Sequence, residues 1–247
     1  MKYYPPRYLL RRHTVIKNVV AGTKFLEIGA GKMLLSTDLL NYFKSGTCLD
    51  FAPGIRKIYK QLPEEVKKRL TPKVGDFFKL KLPPNYDCVI SCEVMEHVKN
   101  DRAFINRAHE LIKPGGQIII SVPAKEKYWT VHDEIVGHVR RYEKDRLEKL
   151  FTNKKFENVK IISYGYPFIN VLWVLRWTLG KMQAREKKQW SSDKQTKESG
   201  IGQIPKFFDL LGIISNKYVF YIPNKISELF NRYDLSEGYI ITANKKR

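Results

Sequence analysis

Short apolar runs alternate with amphipathic stretches through the first half of the chain. Phe25, Leu26 and Ile28 form the first run, interrupted by Glu27 and closed by Gly29-Ala30-Gly31. Thr47–Phe51, Val74–Phe77, Tyr86–Cys92 and Gln117–Val122 supply four more, the last closed by Pro123. Residues 1–20 place apolar positions at helical spacing after Pro5-Pro6. Leu34–Phe43, Ile55–Leu70 (with a break at Pro63) and the stretch from Glu93 to Ile112 also read as helices. Lys113-Pro114-Gly115-Gly116 is the expected terminator of the third of these. Short apolar strands separated by helices predict βα units and a mostly parallel sheet. Near-continuous runs such as Cys88-Val89-Ile90 and Ile118-Ile119-Ile120 suit burial on both faces. The expected core is therefore a doubly wound α/β layer.

After Pro123 the pattern changes. Lys125–Arg141 is polar and aromatic without periodicity and reads as a long loop. Asp145–Phe151 reads as a helix and Val159–Ser163 as a sixth strand. Tyr166–Ala184 is aromatic and helical, Arg185–Gly200 a basic polar linker, and Ile204–Phe230 helical with a break at Pro223. Glu237–Ala243 closes the chain as a last strand. The predicted organisation is a core over 1–164, a helical lid or substrate insertion over 165–235, and a last strand with a basic tail over 236–247.

The chain has 247 residues and a formal net charge of +20, divided equally at +10 between residues 1–124 and 125–247. A distributed positive field attracts polyanions, nucleic acid or an anionic membrane surface, and also serves plain solubility. The three cysteines, Cys48, Cys88 and Cys92, sit in apolar runs without metal-ligand spacing, which predicts a reduced, cytoplasmic setting and no metal. Met1–Arg12 lacks the apolar core of a secretory leader. The run Tyr166–Leu179 is interrupted by Asn170 and Arg176 and falls short of the roughly 20 apolar residues a membrane span needs.

Four features recur at predicted strand ends: the Gly29-Ala30-Gly31 turn, Asp50, Asp76, and Ser91-Cys92-Glu93. Open α/β sheets bind ligands at such ends. Glycine lets a backbone approach a ligand closely, and a carboxylate offers paired acceptors to a ribose diol. A dinucleotide-binding turn would want a third glycine at position 34, which is Leu34. A phosphate-cradling loop would want Ser or Thr after Lys32 at full motif spacing, and neither is there.

The arrangement resembles the class I S-adenosylmethionine-dependent methyltransferases over residues 20–164 and the last strand. The resemblance rests on L-E-I-G-A-G at 26–31, C-L-D at 48–50, G-D-F at 75–77, D-C-V-I-S-C-E-V-M-E-H-V at 87–98 and L-I-K-P-G-G-Q-I-I-I-S-V-P at 111–123. The last two are similar to the small-molecule branch that includes the ubiquinone-biosynthesis O-methyltransferases. It implies a seven-stranded sheet with an antiparallel last strand, and S-adenosylmethionine as methyl donor. Carried over, Gly29, Ala30 and Gly31 would cradle the methionine part and Glu27 would orient that turn. Asp50, with Phe51 beside it, would hold the ribose. Asp76 and Phe77 would face the adenine, and the backbone around Cys92 would meet the amino-acid end. The chain departs from the family at Met33, where a third glycine usually stands.

The strand-four segment lacks the proline-proline-aromatic signature of amino-methylating nucleic-acid enzymes. The stretch from His132-Asp133-Glu134 to Gly137-His138-Val139-Arg140-Arg141-Tyr142 resembles a feature of methyltransferases of glycan and lipid-linked pathways. His138, and after it His132, are the candidate general bases, since an imidazole held by a carboxylate can take a hydroxyl proton. The same residues also suit a loop clasped over the cofactor by arginine–carboxylate pairs, and His97 suits a structural role. The expected acceptor is a small or lipid-linked metabolite. RNA methylation, or a cofactor-binding module without catalysis, are the alternatives. The aromatic run Tyr166–Leu179 and the lysines after it suit a lid over the active site. They also suit contact with anionic lipid, where each lysine adds roughly 1 kcal/mol.

Overall fold

The computed structural model describes residues 4–152, 155–174, 177 and 215–247. Helix α1 (Pro6–Asn18) opens the chain with proline at its first position, where no N–H is needed. The strands are β1 (Gly22–Ile28), β2 (Phe43–Asp50), β3 (Leu70–Val74), β4 (Tyr86–Cys92), β5 (Ile112–Pro123), β6 (Phe156–Ser163) and β7 (Gly238–Lys245). They form one sheet in the order β3-β2-β1-β4-β5-β7-β6. Strands β1 to β5 pair in parallel, and β7 lies between β5 and β6, antiparallel to both. The order reverses direction between β1 and β4, the point of an open α/β sheet at whose carboxyl ends ligands bind.

Alternation along each strand feeds two cores. Leu26, Ile28, Val89, Ile118, Ile120 and Ile241 join one cluster, together with Phe104 and Leu147. These last two come from α5 (Asp101–Leu111) and α7 (Lys144–Phe151). Phe25, Cys48, Cys88, Ile90, Ile119 and Ile240 join the other, with Leu10 and Val15 of α1. That cluster also takes Leu35 and Leu39 of α2 (Leu34–Leu39) and Ile55 of α3 (Ile55–Lys60). Burial on both faces explains why the strands read as continuous apolar runs.

Several boundaries differ from the sequence expectation. Helix α2 stops at Leu39, and β2 already begins at Phe43, because Phe43 and Gly46 pack against Phe25. The predicted break at Pro63 is present: α3 ends at Lys60 and α4 (Glu64–Lys67) starts after the proline. Strand β3 ends at Val74, so Gly75-Asp76-Phe77 lies beyond it, with Gly75 at φ 146°. Glu93–Val98 holds a single 3₁₀ turn at Met95–His97, and α5 begins only at Asp101, capped by the Asn100 side chain on the Ala103 N–H at 2.9 Å. Lys113-Pro114-Gly115-Gly116 does not terminate a helix. It lies inside β5, where a register shift between Tyr86 and Cys88 of the partner strand accommodates it.

The predicted loop at 125–141 contains a 3₁₀ turn, Glu126–Tyr128, and helix α6 (Val131–Val136). Six residues are too few to show helical periodicity. Residues 168–174 are helical, as expected for the start of the aromatic segment. The predicted linker Arg185–Gly200, and residues 178–214 of the expected lid generally, lie outside the described residues. Beyond them, α8 (Tyr221–Phe230) carries Pro223 in its first turn instead of breaking there. First-turn amides have no intrahelical acceptor, so proline costs nothing at that position.

Candidate active site

The turn after β1 is built on an acid from β2. The Asp50 carboxylate accepts the Gly31 N–H at 2.7 Å through Oδ2 and the Ala52 N–H at 2.8 Å through Oδ1. Gly29 and Ala30 donate to the Leu49 carbonyl at 2.8 and 3.0 Å. Residues 29–31 and Asp50 thus form one cradle across two strand ends. Gly29 has φ 80°, and a Cβ there would stand 2.2 Å from Val94 Cγ2, so only glycine fits. Asp50 keeps a second lone pair on each oxygen, which is the chemistry a diol requires. Phe51, next to it, is exposed.

Met33 holds φ 53° and ψ 25°, the left-handed conformation that usually calls for glycine, and its side chain is fully buried in the second core cluster. The side chain is therefore taken up by the core, in the same cluster as Ala30 of the turn. Glu27 is buried and accepts the Ser36 hydroxyl, tying β1 to α2 behind the turn. Burial pushes its carboxyl up to about 8.

Asp76 accepts the Phe78 N–H at 2.8 Å in a local turn beyond β3. Phe77 does not offer its ring to an adenine. It is buried in the first cluster with its centroid 5.1 Å from that of Phe104, while Phe78 is the exposed aromatic. An adenine contact at Phe77 would therefore use its backbone and not its ring. One aromatic next to another is ambiguous in sequence until the core claims one of them. Cys92 is half-buried, and burial pushes its thiol up to about 12.

A chain of ion pairs runs from the β4 end to His138. Glu93 has φ 56° and receives Arg7 Nη2 at 3.0 Å, Arg11 Nη1 at 3.5 Å and the Ser121 hydroxyl at 3.0 Å. Burial alone would raise its carboxyl, but Arg7 and Arg11 pull it down to about 2. Arg7 also donates to Glu237 at 2.9 Å, and Glu237 lies 3.3 Å from Arg141 Nη1. Arg141 grips Asp133 with both arms, Nε to Oδ1 and Nη2 to Oδ2, each at 3.0 Å.

Asp133 further accepts the Thr130 N–H at 2.8 Å and the Thr130 hydroxyl at 3.0 Å, and it faces His138 Nδ1 at 2.8 Å. His138 and Arg141 hold this carboxyl far below the usual range despite its burial. Gly137, at φ 82°, reverses the chain after α6 so that His138 can return onto Asp133. Because Asp133 only accepts, Nδ1 carries the proton in the neutral imidazole and Nε2 presents a lone pair.

That Nε2 lies 3.6 Å from Glu96 Oε1. Glu96 is fully buried, and neither of its oxygens has a hydrogen-bond partner. Burial and the neighbouring Glu93 push its carboxyl well above the ordinary range. His97 packs edge-on to His138 at 4.8 Å and bonds the Gly137 carbonyl through Nδ1 at 3.1 Å. Its pKa falls to about 4 through burial and the nearby His138. Ligand atoms of Glu96, His97 and His138 lie within 4.8 Å of one another, a convergence that sequence spacing did not predict and that suits a cation as well as proton exchange.

The second candidate base, His132, is half-buried on α6. The imidazole–carboxylate pair is built on His138. Sequence reasoning missed Arg7, Arg11, Glu96 and Glu237 as site residues, since their partners lie up to 230 positions away.

Residues 26–120 match the sequence family described as a methyltransferase domain. The mitochondrial ubiquinone biosynthesis O-methyltransferase of Schizosaccharomyces pombe is 27% identical over 198 residues, covering 78% of this chain and 69% of that one. The chain spans only 45% of a Pseudomonas aeruginosa ubiquinone biosynthesis O-methyltransferase, over 104 residues at 32% identity. Among solved structures, the YcgJ protein from Bacillus superposes with TM-score 0.61 at 13% identity, covering 98% of this chain and 99% of that one. A Haemonchus contortus phosphoethanolamine N-methyltransferase, solved with S-adenosylhomocysteine, gives TM-score 0.57 at 16% identity, covering 98% of this chain and 53% of that one. The two superpositions establish a shared fold.

Proposed function

We propose that this class I S-adenosylmethionine-dependent methyltransferase moves a methyl group to a hydroxyl oxygen of a small or lipid-linked metabolite. The observation that carries the reading is the Asp133–His138 pair at 2.8 Å, which leaves the Nε2 lone pair beside Glu96, just past the end of β4. The cofactor supplies an electrophilic methyl on a sulfonium. His138 Nε2 would take the proton of the acceptor O–H as that oxygen receives the methyl, the bond electrons staying with the departing thioether sulfur. Asp133 keeps the imidazole in the accepting tautomer and balances the imidazolium charge. The Asp50-braced glycine turn would hold the cofactor, and Glu27, buried behind the turn, would fix its shape. That the similar proteins of Schizosaccharomyces pombe and Pseudomonas aeruginosa are O-methyltransferases supports oxygen as the accepting atom.

The test is methyl transfer to phenolic and polyprenyl-linked hydroxyl acceptors by the wild type and His138→Gln. The variant should lose about 10²–10⁴-fold in kcat while binding the cofactor unchanged. Equal rates would remove His138 from the chemistry, and transfer to bulk RNA alone would replace the acceptor class. The partnerless oxygens of Glu96 favour a second reading, in which Glu96, His97 and His138 hold a divalent cation that binds the acceptor oxygen. Loss of activity on chelation, restored by added metal, would select it.

A further inference from the structure

Helix α8 is built inside out. Its buried residues are polar, Asn224 and Ser227, and Asn224 Oδ1 and Ser227 Oγ lack partners. Its outward stripe is apolar: Ile222 is 66% exposed and Leu229 69%, with Ile226 between them at positions that fall on one helical face. Tyr218, one turn before, is 74% exposed, and Tyr233 extends the same spacing beyond the helix. The inner face is pinned. Glu228 accepts His13 Nε2 and Lys17 Nζ of α1, each at 2.6 Å, so α8 cannot roll its stripe inward without breaking those pairs.

Cations rim the stripe. Lys217, Lys225 and Arg232 lie over the rings of Tyr218, Tyr221 and Tyr233 at 5.1, 5.8 and 4.8 Å. Among the exposed described residues from 217 to 235 the one acid is Asp234, and Lys125 pairs with it at 3.0 Å. No helix among the described residues is long and apolar enough to cross a membrane. An apolar stripe flanked by cations and aromatic rings, on a short helix fixed to a rigid core, is the chemistry of an element lying in the plane of an anionic bilayer.

We infer that α8 docks this protein on an anionic lipid surface, with Ile222, Ile226 and Leu229 among the acyl chains and Lys217, Lys225 and Arg232 at the headgroups. This places the membrane contact on α8, where the sequence pointed to the run Tyr166–Leu179. It builds on the lipid-linked acceptor proposed above, but docking is measured without any methyl transfer.

Flotation of the full chain with phosphatidylglycerol–phosphatidylcholine vesicles, against phosphatidylcholine alone, tests it. Binding is expected to the anionic vesicles only, to weaken with added salt, and to fall about tenfold or more in Ile222→Ser/Leu229→Ser. Lys217→Glu/Lys225→Glu/Arg232→Glu should abolish it. Calorimetric affinity for S-adenosylhomocysteine, unchanged in both variants, confirms an intact core. The inference is overturned if the wild type does not float, if the serine variant floats equally, or if amide exchange shows the stripe protected in the free protein by residues 178–214 or by a second copy. Flotation with no transfer to any lipid-linked acceptor would overturn the acceptor proposal and leave the docking face standing.

Discussion

At the scale of single residues, Met33 sets two costs against each other. A non-glycine residue in the left-handed region loses about 1–2 kcal/mol, whereas a fully buried methionine contributes about 2–5 kcal/mol relative to truncation. Packing wins, and this explains why the third glycine of the turn is dispensable here. Met33→Gly should therefore destabilise the protein by about 1–3 kcal/mol in urea unfolding while leaving cofactor affinity nearly unchanged. Glu27 gives a pH prediction. Its folded value of about 8 lies above the usual carboxylate range, so between pH 5 and pH 8 the folded state binds more protons than the unfolded one. Stability then falls as pH rises through that window. Glu27→Gln should remove that decline, leaving the variant about 2–4 kcal/mol less pH-sensitive than the wild type in denaturation midpoints at pH 5 and pH 8.

At the scale of elements, α6 shows how a six-residue helix becomes a rigid support. It has too few turns to be stable alone. Asp133 gathers Thr130, His138 and both arms of Arg141 on one carboxylate, and Gly137 turns the chain back onto it. The arginine–carboxylate clasp and the candidate base, which looked like alternatives in the sequence, are two ends of one network. Arg141→Met would strand buried Asp133 and Glu237 with fewer partners. It should cost about 3–5 kcal/mol by thermal or chemical unfolding and lower kcat through misplacement of His138. A loss below 1 kcal/mol would show that the network does not hold the loop.

At the scale of the whole molecule, the proposed cofactor cradle lies at the ends of β1 and β2, beside the point where the strand order reverses. Asp50→Ala removes the acceptor for two backbone amides on two strand ends. It should weaken cofactor binding at least about tenfold by calorimetry and speed amide exchange at Gly31. Unchanged affinity would withdraw the ribose assignment. The parallel sheet, the glycine turn and the acids at the strand ends were all legible in the chain, because burial on two faces and tight strand–helix turns leave local signatures. Helix α6 was not, since six residues show no periodicity, and neither were the core position of Phe77 and the start of β5, which depend on neighbours distant in sequence. By itself, the sequence determined the α/β layering, the positions of the turns at the strand ends and the choice of methyl donor that the motifs imply. Only the tertiary structure decided which of two adjacent phenylalanines is core, how Arg7 and Glu237 complete the line to His138, and why α8 shows its apolar side to the outside. Local pattern records what a residue needs, and only the packed fold records which partner meets that need.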